Sequence, residues 1–471
     1  MGENKTYDEI EVGDEAIVNR VCASKDLYIF AHASGNLNPL HNPSFDIDND
    51  GVSDAVAPSM WVASLISAVL GNILPGPGTL YRRQDMRFLN RAHVGDTLSV
   101  GVRVTQKGED NAVTFETWVD RNDGMPVLRG EAEVSAPTAK LTTDLELPEI
   151  LVEQHKHFDR LLEACEGLPP LEVAVACPDD PNSLGGVVLA VEHNLIAPVI
   201  VGCRSRIADA ANEIGKDISH LPLIDIEDEP EAAAKTVELV HQGKARALMK
   251  GHLHTDDLLR HVMKRDGGLR TGRRITHVFV MDVPGQDQML MVSDAAINIA
   301  PDLETKVDIV QNAINLGQAI GMAAPRVGIL SAVETVNPKI PSTLDAAVLS
   351  KMAERGQITG GIVDGPLAMD NAMDVEAART KGITSLVAGH AEVLIVPNLE
   401  AGNMLAKELT FIAHAEAAGL VVGARVPVIL TSRADNAKAR LVSCALAILY
   451  DHWRRTGESL VKNPDLKEAA E

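Results

Sequence analysis

Aromatic residues, cysteines and long apolar runs are all scarce in this chain. Phe, Trp and Tyr together make up 3% of its 471 residues, so an aliphatic core is expected. The five cysteines show no CxxC spacing, which argues against both a disulfide framework and a zinc site. No segment offers about 18 or more consecutive apolar residues, and the start of the chain is polar and acidic. We therefore expect no membrane span, no secretory leader and a cytoplasmic location.

Basic residues are outnumbered by acidic ones. Lys and Arg number 43 against 66 Asp and Glu, which gives a net charge of −23 with neutral histidine. Such a charge repels nucleic-acid backbones and anionic membranes, so neither is expected as a partner. An anionic substrate would need a local basic pocket. Hydrophobic residues at 45% and charged residues at 23% are typical of a globular protein and exclude disordered and collagen-like classes.

The length of the chain predicts two or three domains, at roughly 150 residues per domain. The composition changes at Ala136–Glu149, a stretch that contains two prolines and a threonine cluster. We place a boundary there. The predicted organisation is a first domain over residues 1–137, a linker over 138–150 and a second domain over 151–471.

The first region is typical of an antiparallel sheet with a buried helix. Short runs rich in Thr and Val, separated by turn residues, predict strands over Asp96–Thr105, Asn111–Val119 and Val127–Val134. Pro58–Leu70 has no charged residue and has apolar side chains on nearly every helical face, which predicts a helix buried against a curved sheet. An α+β domain is therefore expected.

The second region alternates apolar β-rich runs with helical patterns, which is typical of parallel α/β architecture. The predicted strands include Leu171–Ala176, Ala247–Lys250, Met289–Ser293 and Val426–Thr431. The predicted helices include Glu231–His241, Thr305–Ile320, Asp345–Arg355 and Ala401–Ala418. Ligands of such sheets bind beyond the carboxyl ends of the strands. Polar residues at those positions are therefore the candidate site residues.

One predicted strand end carries a Ser-Arg pair. Val426–Thr431 is followed by Ser432, the expected N-cap of a helix that continues through Asn436–Tyr450, with Asp435 three residues after the cap. A Ser-x-x-Asp sequence is a capping box that satisfies backbone donors. A helix N-terminus after a parallel strand, with Arg433 beside the cap, also predicts a phosphate site. The two interpretations are compatible.

A second strand end lies at Ala247–Lys250. The chain leads from it to Thr255, the expected N-cap of a helix over Asp256–Lys264 that carries Arg260. A cation near a helix N-terminus again suits an anionic ligand. This segment is therefore a second candidate for the basic pocket.

Four other polar residues stand near predicted strand ends. His252 and His254 are interpreted as ordinary loop residues and not as metal ligands, because no third ligand is evident. Asp294 and Asn298 follow the strand Met289–Ser293 and precede an amphipathic helix with an acidic start. They are candidate ligand-binding groups at the carboxyl end of that strand.

Three segments resemble the phosphate acetyltransferase/butyryltransferase family. They are Ala247–Arg260, Ser293–Ile314 and the TSRAD and AKARLVSCALA stretches within Thr431–Ala447. The resemblance covers roughly the last two thirds of the chain. It implies a two-lobed α/β fold of the isocitrate/isopropylmalate-dehydrogenase type, a homodimer, and catalysis in the cleft between the lobes. The implied reaction exchanges an acyl group between coenzyme A, a substrate, and inorganic phosphate, with no metal required.

The resemblance also implies residue roles. The thiol of coenzyme A, with a pKa near roughly 8.5, must lose its proton before it attacks an acyl phosphate, and Asp435 is the candidate base. The acetyltransferase branch carries its acid where this chain has Ala439, and this segment resembles the butyryltransferase branch instead. The groups expected to hold phosphate in the transition state are Ser432, Arg433 and Arg260. The residues expected to bind substrate are Lys250, Thr255, Asp294 and Asn298. Lys250 also suits a structural salt bridge.

The N-terminal region resembles MaoC-like (R)-specific enoyl-CoA hydratases over about 130 residues. The resemblance rests on SGNLNPLH (Ser34–His41) and SAVLGNILPGPGTLY (Ser67–Tyr81), and it implies a hotdog fold whose central helix is Pro58–Leu70. Such hydratases activate water with an Asp and a His five residues apart. Here the pair is Asn36 and His41. An amide cannot take a proton from water.

A second departure lies at the start of the central helix, where the family's His-Gly is replaced by Pro58 and Ser59. Three alternatives stay open for this domain: an active hydratase, a domain that only binds acyl-CoA or supports a dimer, and another acyl-CoA reaction. Asp46 or Asp48 could supply a substitute carboxylate. With both sites active, the protein would be a bifunctional hydratase and acyltransferase.

Two rival functions remain for the second domain. A dehydrogenase of the related isocitrate-dehydrogenase-like fold is disfavoured by the lack of a GxGxxG after a strand and of a carboxylate cluster for a divalent metal. A non-catalytic acyl-CoA-sensing module would be favoured by loss of the Ser432–Arg433 pair, which is intact here.

Overall fold

The computed structural model describes residues 2–45, 53–143, 156–430 and 437–461. The chain forms two compact units, Met1–Val152 and Glu153–Glu471. Thr142–Thr143, which lies within the predicted linker, pairs with Gly2–Glu3 as an antiparallel two-stranded sheet. This pairing extends the first unit beyond residue 137, because strand pairing joins parts of the chain that composition treats separately.

The first unit is an antiparallel sheet with a helix packed against it. Its elements are β1 (Gly2–Glu3), β2 (Glu15–Val21), α1 (Ser24–Ser34), α2 (Ser59–Asn72), β3 (Leu80–Phe88), β4 (Thr97–Lys107), β5 (Ala112–Arg121), β6 (Pro126–Ser135) and β7 (Thr142–Thr143). Five of the strands form one sheet in the order β2-β4-β5-β6-β3, and all neighbours are antiparallel. A sheet of this kind around a central helix confirms the predicted hotdog fold.

The central helix α2 forms because its sequence can be buried on several sides. It contains no charged residue, and Trp61, Val62, Ile66 and Leu70 are buried. They pack with inward-facing residues of the strands, which include Phe115. Because the burial of a large apolar side chain contributes about 1.5–3 kcal/mol, this helix is a main source of stability for the unit.

The second unit contains the remaining elements. Its helices are α3 (Lys156–Glu163), α4 (Pro181–Glu192), α5 (Arg204–Glu213), α6 (Glu229–His241), α7 (Thr255–Val262), α8 (Leu303–Ala319), α9 (Pro341–Glu354), α10 (Met369–Met373), α11 (Val375–Thr380), α12 (Leu399–Phe411) and α13 (Ala437–Thr456). Its strands are β8 (Leu171–Ala176), β9 (Ile196–Gly202), β10 (Leu223–Asp225), β11 (Ala247–Lys250), β12 (Thr276–Asp282), β13 (Leu290–Ser293), β14 (Arg326–Leu330), β15 (Ile362–Leu367), β16 (Val393–Ile395), β17 (Glu416–Val422) and β18 (Val428–Ile429).

These strands form one mixed sheet in the order β10-β9-β8-β11-β18-β17-β12-β13-β16-β14-β15. The expected parallel arrangement holds on both sides of the sheet but not in its centre, where β17 is antiparallel to β18 and to β12, and β12 is antiparallel to β13. The strands from β10 to β18 therefore run opposite to those from β13 to β15. As a result, the carboxyl ends of the two groups lie at opposite edges of the sheet.

Helices cover both faces of this sheet, as the alternation of strands and helices predicts. One face packs against α3, α4, α8, α9 and α13, and the other packs against α6 and α7 at one end and α10 to α12 at the other. The helix α13 is buried over most of its length. The predicted α/β fold of the second domain is confirmed. None of the described helices is long and apolar enough to cross a bilayer.

Side-chain caps start several of the helices. The carboxylates of Asp180, Asp228 and Asp302 and the amide of Asn398 accept hydrogen bonds from backbone N–H groups in the first turn that follows each of them. Each such cap contributes about 1 kcal/mol, because it satisfies a donor that the helix leaves unpaired.

The predicted helix over Ala401–Ala418 is wrong in its second half. The helix α12 ends at Phe411, His414 has a left-handed backbone with φ of 55°, and β17 begins at Glu416. Alanine-rich sequence does not distinguish a helix from a buried strand. Here the segment pairs with β12 at seven residues and therefore forms a strand, in which Ala418 to Val422 are buried.

Candidate functional site

The carboxyl ends of four parallel strands lie at one edge of the second unit's sheet. β8 pairs in parallel with β9 and with β11, and β11 pairs in parallel with β18. In this register Met249 is opposite both Val175 and Ile429, so the four strands end at nearly the same level. The loops that follow them meet at this edge, which we call the β8–β11 edge.

Lys250, the last residue of β11, has a buried side chain at the β8–β11 edge. It is 8% exposed, and its Nζ donates hydrogen bonds to the carbonyl oxygens of Gly251 (3.0 Å) and Leu253 (3.3 Å). These bonds hold the turn between β11 and α7. A buried ammonium group can also attract an anion, because its charge is poorly screened there.

A carboxylate links two loops at this edge. Asp179, which follows β8, accepts a 2.6 Å hydrogen bond from Nε of Arg206 in α5, and its other oxygen lies 3.2 Å from Nδ1 of His252. The Asp179 side chain is only 3% exposed. The hydrogen bond that Arg206 donates to Asp179 raises the pKa of Arg206, so the guanidinium stays charged. This cluster therefore places a guanidinium and an imidazole at the β8–β11 edge.

Two cysteines differ in their surroundings here. Burial, followed in importance by the charge of Asp179, raises the pKa of the Cys177 thiol to about 12. The backbone N–H of Arg206 and the hydroxyl of Ser205 lower the pKa of the Cys203 thiol, which precedes α5. Both thiols are buried and free. Cys177 is accordingly a packing residue.

The helix α7 begins one residue earlier than predicted. His254 occupies the N-cap position and Thr255 is the first helical residue, so Thr255 as N-cap is wrong. The helix ends at Val262, and the chain then turns back, so that the N–H of Leu269 donates to the carbonyl oxygen of Val262 at 2.7 Å.

Arg260 lies on the exposed side of α7. Its side chain is 66% exposed and pairs with Asp257 at 3.4 Å, one turn earlier in the same helix. An exposed pair of this kind contributes little to stability, about 0–1 kcal/mol. The guanidinium can therefore exchange this partner for an anionic ligand at small cost.

Asp294 and Asn298 lie at the opposite edge of the sheet. The two oxygens of Asp294 accept bonds from the backbone N–H groups of Ala296, Ile297 and Asn298 at 3.0–3.1 Å. The side-chain amide of Asn298 donates to Asp294 (2.5 Å) and to the carbonyl of Ile275 (3.0 Å). Their polar atoms close the turn after β13. Since β13 runs opposite to β11, the structure does not bring these two residues to Lys250.

The residues Ser432, Arg433 and Asp435 lie outside the described part of the chain. They come between Leu430, which follows β18, and Ala437, where α13 begins. Ala439 is buried in the first turn of α13. The Lys438 ammonium pairs with Asp159 (2.9 Å) and with Glu416 (3.3 Å), and these ion pairs hold the start of α13.

In the first unit, Asn36 and His41 lie in the loop between α1 and α2. Oδ1 of Asn36 accepts a bond from the backbone N–H of Asn38 (3.2 Å). Nδ1 of His41 lies 2.7 Å from the carbonyl oxygen of Val56. A carbonyl only accepts, so Nδ1 carries the proton and Nε2 is left with a lone pair. Ser59 is exposed as the first residue of α2. Asp46 and Asp48 lie outside the described residues.

Comparison with known proteins shows the family of the second unit. Residues 230–448 match the family described as phosphate acetyl/butaryl transferase. A phosphate acetyltransferase from Rhizobium meliloti is 57% identical over 305 residues, which cover 65% of this chain and 96% of that protein. The chain belongs to the phosphate acetyl/butyryltransferase family.

Solved structures are similar to each unit of this transferase. A branched-chain phosphotransacylase from Enterococcus faecalis matches 59% of this chain and 98% of its own, with 31% identity and a TM-score of 0.52. An R-hydratase from Pseudomonas aeruginosa matches 32% of this chain and 98% of its own, with 38% identity. The TM-score of that second match is 0.31, which is too low to support an inference about function.

Sequence reasoning missed Asp179 and Arg206 of the transferase unit. Each lies shortly after the carboxyl end of a strand, since Asp179 lies three residues after β8 and Arg206 four residues after β9. The rule that ligands bind beyond strand carboxyl ends could have found them. Their pairing with each other and with His252 had no signal in the sequence, because it depends on which strands are neighbours in the sheet.

Proposed function

We propose that the second unit transfers an acetyl- or butyryl-type acyl group between coenzyme A and inorganic phosphate. The observation that carries this proposal is the 57% identity with a phosphate acetyltransferase across 96% of that protein's length. The cationic groups at the β8–β11 edge support it, because both substrates are anions and the chain as a whole is acidic. Coenzyme A acts here as a substrate, with no metal required.

The proposed phosphate contacts are Ser432, Arg433 and Arg260. A guanidinium can bind two phosphate oxygens at once, and it would stabilise the charge that grows on phosphate as the bond to the acyl carbon breaks. The exposure of Arg260, which pairs with Asp257 at the surface of α7, supports its part in this role. Lys250 adds a buried positive charge at the same edge, and Thr255 begins the helix that carries Arg260.

Asp435 is retained as a candidate base for the thiol of coenzyme A. Asp294 and Asn298 are left out of the proposed substrate contacts, because their polar atoms close a turn at the opposite sheet edge. We propose instead that these two residues stabilise the turn between β13 and α8.

The test is the release of free coenzyme A thiol by the purified full-length protein. Acetyl-CoA, propionyl-CoA and butyryl-CoA are each supplied with and without inorganic phosphate. Phosphate-dependent release is expected, and the relative rates will rank the acyl chains. No release from any of the three would contradict the transferase and favour an acyl-CoA-sensing module.

For the first unit we propose binding of acyl-CoA without hydration. Asn36 stands where a base is needed, and its oxygen is already occupied by the Asn38 N–H. A second candidate function, enoyl-CoA hydration, is favoured by one observation: His41 is held by Val56 in the tautomer that leaves Nε2 available. Addition of crotonyl-CoA to the protein separates the two, because only hydration consumes its conjugated double bond.

We further propose that the protein is a cytoplasmic homodimer. The support is the family resemblance, together with five cysteines that are free and buried, which suits a reducing compartment. Sedimentation of the full chain tests the oligomeric state directly.

A further inference from the structure

Acyl transfer to coenzyme A needs a group that takes the thiol proton. A free thiol has a pKa of about 8.5, so only a few per cent is thiolate near pH 7. A base within hydrogen-bonding reach of the sulfur speeds such steps by about 10²–10⁴-fold. Histidine is the side chain most often used, because it exchanges protons near neutral pH.

The backbone holds His252 rigidly at the β8–β11 edge. The N–H of Gly251 donates to the carbonyl of Ala176 (2.8 Å), and the N–H of His252 donates to the carbonyl of Cys177 (2.7 Å). A Cβ at position 251 would lie 2.2 Å from the Cys177 oxygen, so only glycine allows this approach. The loop after β11 therefore packs against the end of β8, and the backbone position of His252 is fixed.

The Asp179 carboxylate determines which ring nitrogen of His252 carries the proton. Nδ1 of His252 lies 3.2 Å from Oδ1 of Asp179. An ionised carboxylate only accepts, so Nδ1 donates and Nε2 presents a lone pair. Asp179 cannot rotate freely, because its other oxygen is bonded to Nε of Arg206 at 2.6 Å. A histidine oriented by a buried carboxylate is the arrangement that hydrolases use to activate a hydroxyl or thiol.

The imidazole is also accessible. The His252 side chain is 45% exposed, whereas the Asp179 side chain is 3% exposed. A substrate can therefore reach the histidine while water is largely excluded from the carboxylate behind it.

We propose that His252, oriented by Asp179, is the catalytic residue that takes the thiol proton of coenzyme A, in place of the candidate base Asp435. This inference rests on the proposed acyl transfer. The S–H bond breaks and its proton moves to Nε2, while the sulfur electron pair forms the bond to the acyl carbon. The bond from that carbon to the phosphate oxygen breaks, and phosphate leaves with the electron pair. In the reverse direction phosphate attacks the thioester, and the imidazolium returns its proton to the departing sulfur.

The charges around His252 have distinct parts in this step. Asp179 orients the imidazole through Nδ1, and Arg206 holds the Asp179 carboxylate in place through its 2.6 Å hydrogen bond. Lys250 lies two residues before His252, and its ammonium group donates hydrogen bonds to carbonyl oxygens of the turn. It supplies positive charge to the anionic substrates without taking part in proton transfer.

The main experiment compares His252→Ala with the unmodified full-length protein in the direction from acetyl phosphate and coenzyme A to acetyl-CoA. We expect kcat to fall by about 100-fold or more, with an unchanged KM for acetyl phosphate. Added imidazole should restore part of the lost rate, because the vacated site is open to solvent. The matched control is His220→Ala, an exposed histidine before β10 at the opposite edge, which should keep full activity.

A second variant, Asp179→Asn, tests the orientation of the ring. Asparagine keeps the size of the side chain but can hold the imidazole in the wrong tautomer, so kcat should fall although His252 is present. Circular dichroism and the melting temperature identify any variant that fails to fold. If Asp179→Asn does not fold, imidazole rescue of the exposed His252→Ala variant still decides the proposal.

Three outcomes are informative. A His252→Ala variant as active as the unmodified protein would overturn the proposal alone and leave the transferase function intact. A variant that loses activity without any rescue by imidazole would also overturn it, since a structural role would then account for the loss. An unmodified protein with no phosphate-dependent acyl transfer would overturn the proposed function itself.

Discussion

The ring of His277 lies directly against the backbone of Gly419. A Cβ at Gly419 would be 2.6 Å from Nε2 of His277 and 2.7 Å from Cε1. His277 is 3% exposed and packs edge-on against Phe279, with ring centroids 4.4 Å apart. The middle of the transferase sheet therefore contains an imidazole that fits only because the neighbouring strand β17 carries no side chain there.

Gly419→Ala should destabilise the second unit. The added methyl group overlaps a ring that has no space to move, and overpacking of this kind costs about 1–3 kcal/mol. Urea unfolding followed by circular dichroism measures the change. Gly185→Ala is the matched control, because a Cβ on this helical glycine has no atom within 4 Å and should not destabilise the protein. Equal stability of both variants would contradict the predicted packing.

Acidification should weaken the fold through His277. Burial lowers the pKa of His277, and the nearby Asp294 carboxylate only partly offsets this effect. In the unfolded chain a histidine titrates near about pH 6.5. Below that pH the unfolded state takes up a proton that the folded state does not bind, so the free energy of unfolding falls as the pH falls. His277→Phe should therefore show a shallower loss of stability between pH 7.5 and 5.5, and an equal loss would refute the assignment.

Arg433→Ala should abolish acyl transfer without unfolding the protein. Loss of one donor to the transition-state charge typically costs about 10²–10³-fold in kcat, and a guanidinium that binds two phosphate oxygens should cost at least as much. Phosphate-dependent release of coenzyme A thiol measures the effect. Arg355→Ala, at an exposed arginine after α9, is the control and should keep full activity. Retained activity in Arg433→Ala would remove this residue from the site.

Asn36→Asp tests whether the missing carboxylate alone prevents hydration in the first unit. The new carboxylate could take a proton from water, with His41 already held in position by Val56. Hydration of crotonyl-CoA, followed as loss of absorbance of the conjugated thioester, is the measurement. Gain of activity would show that a single residue silences the site. If Asn36→Asp gains no hydratase activity, the start of α2 also contributes to the loss of hydration, because Pro58 and Ser59 replace the family's His-Gly there.

Much of each fold was predictable because its signals are local. The strand Ala247–Lys250 and the strand Leu171–Ala176 have the same limits in the prediction and in the structure. The buried helix of the first unit was predicted within two residues at its C-terminal end. Apolar runs, turn residues and the absence of charge indicate which segments are buried and of which type. The strand β17 was missed because its small apolar residues satisfy a helical pattern equally well.

The candidate site was predictable only in part. Motifs pointed to Lys250, Arg260 and the segment from Ser432 to Asp435, since each follows a strand end within a family pattern. Asp294 and Asn298 met the same criterion but lie at the other edge, because the direction of β13 relative to β11 is set by the antiparallel strands between them. No pattern along the chain reports the direction of a strand.

The sequence by itself determined the two fold classes, the family and the residue types available for chemistry, because these follow from periodicity, composition and short motifs. Only the tertiary structure decided which residues meet. Asp179 and His252 are 73 residues apart in the chain and 3.2 Å apart in space. Their contact requires β8 and β11 to be hydrogen-bonded neighbours in register, and that choice is made by the packing of the whole sheet against its helices. Burial can be deduced from the pattern of one segment, whereas a contact depends on two.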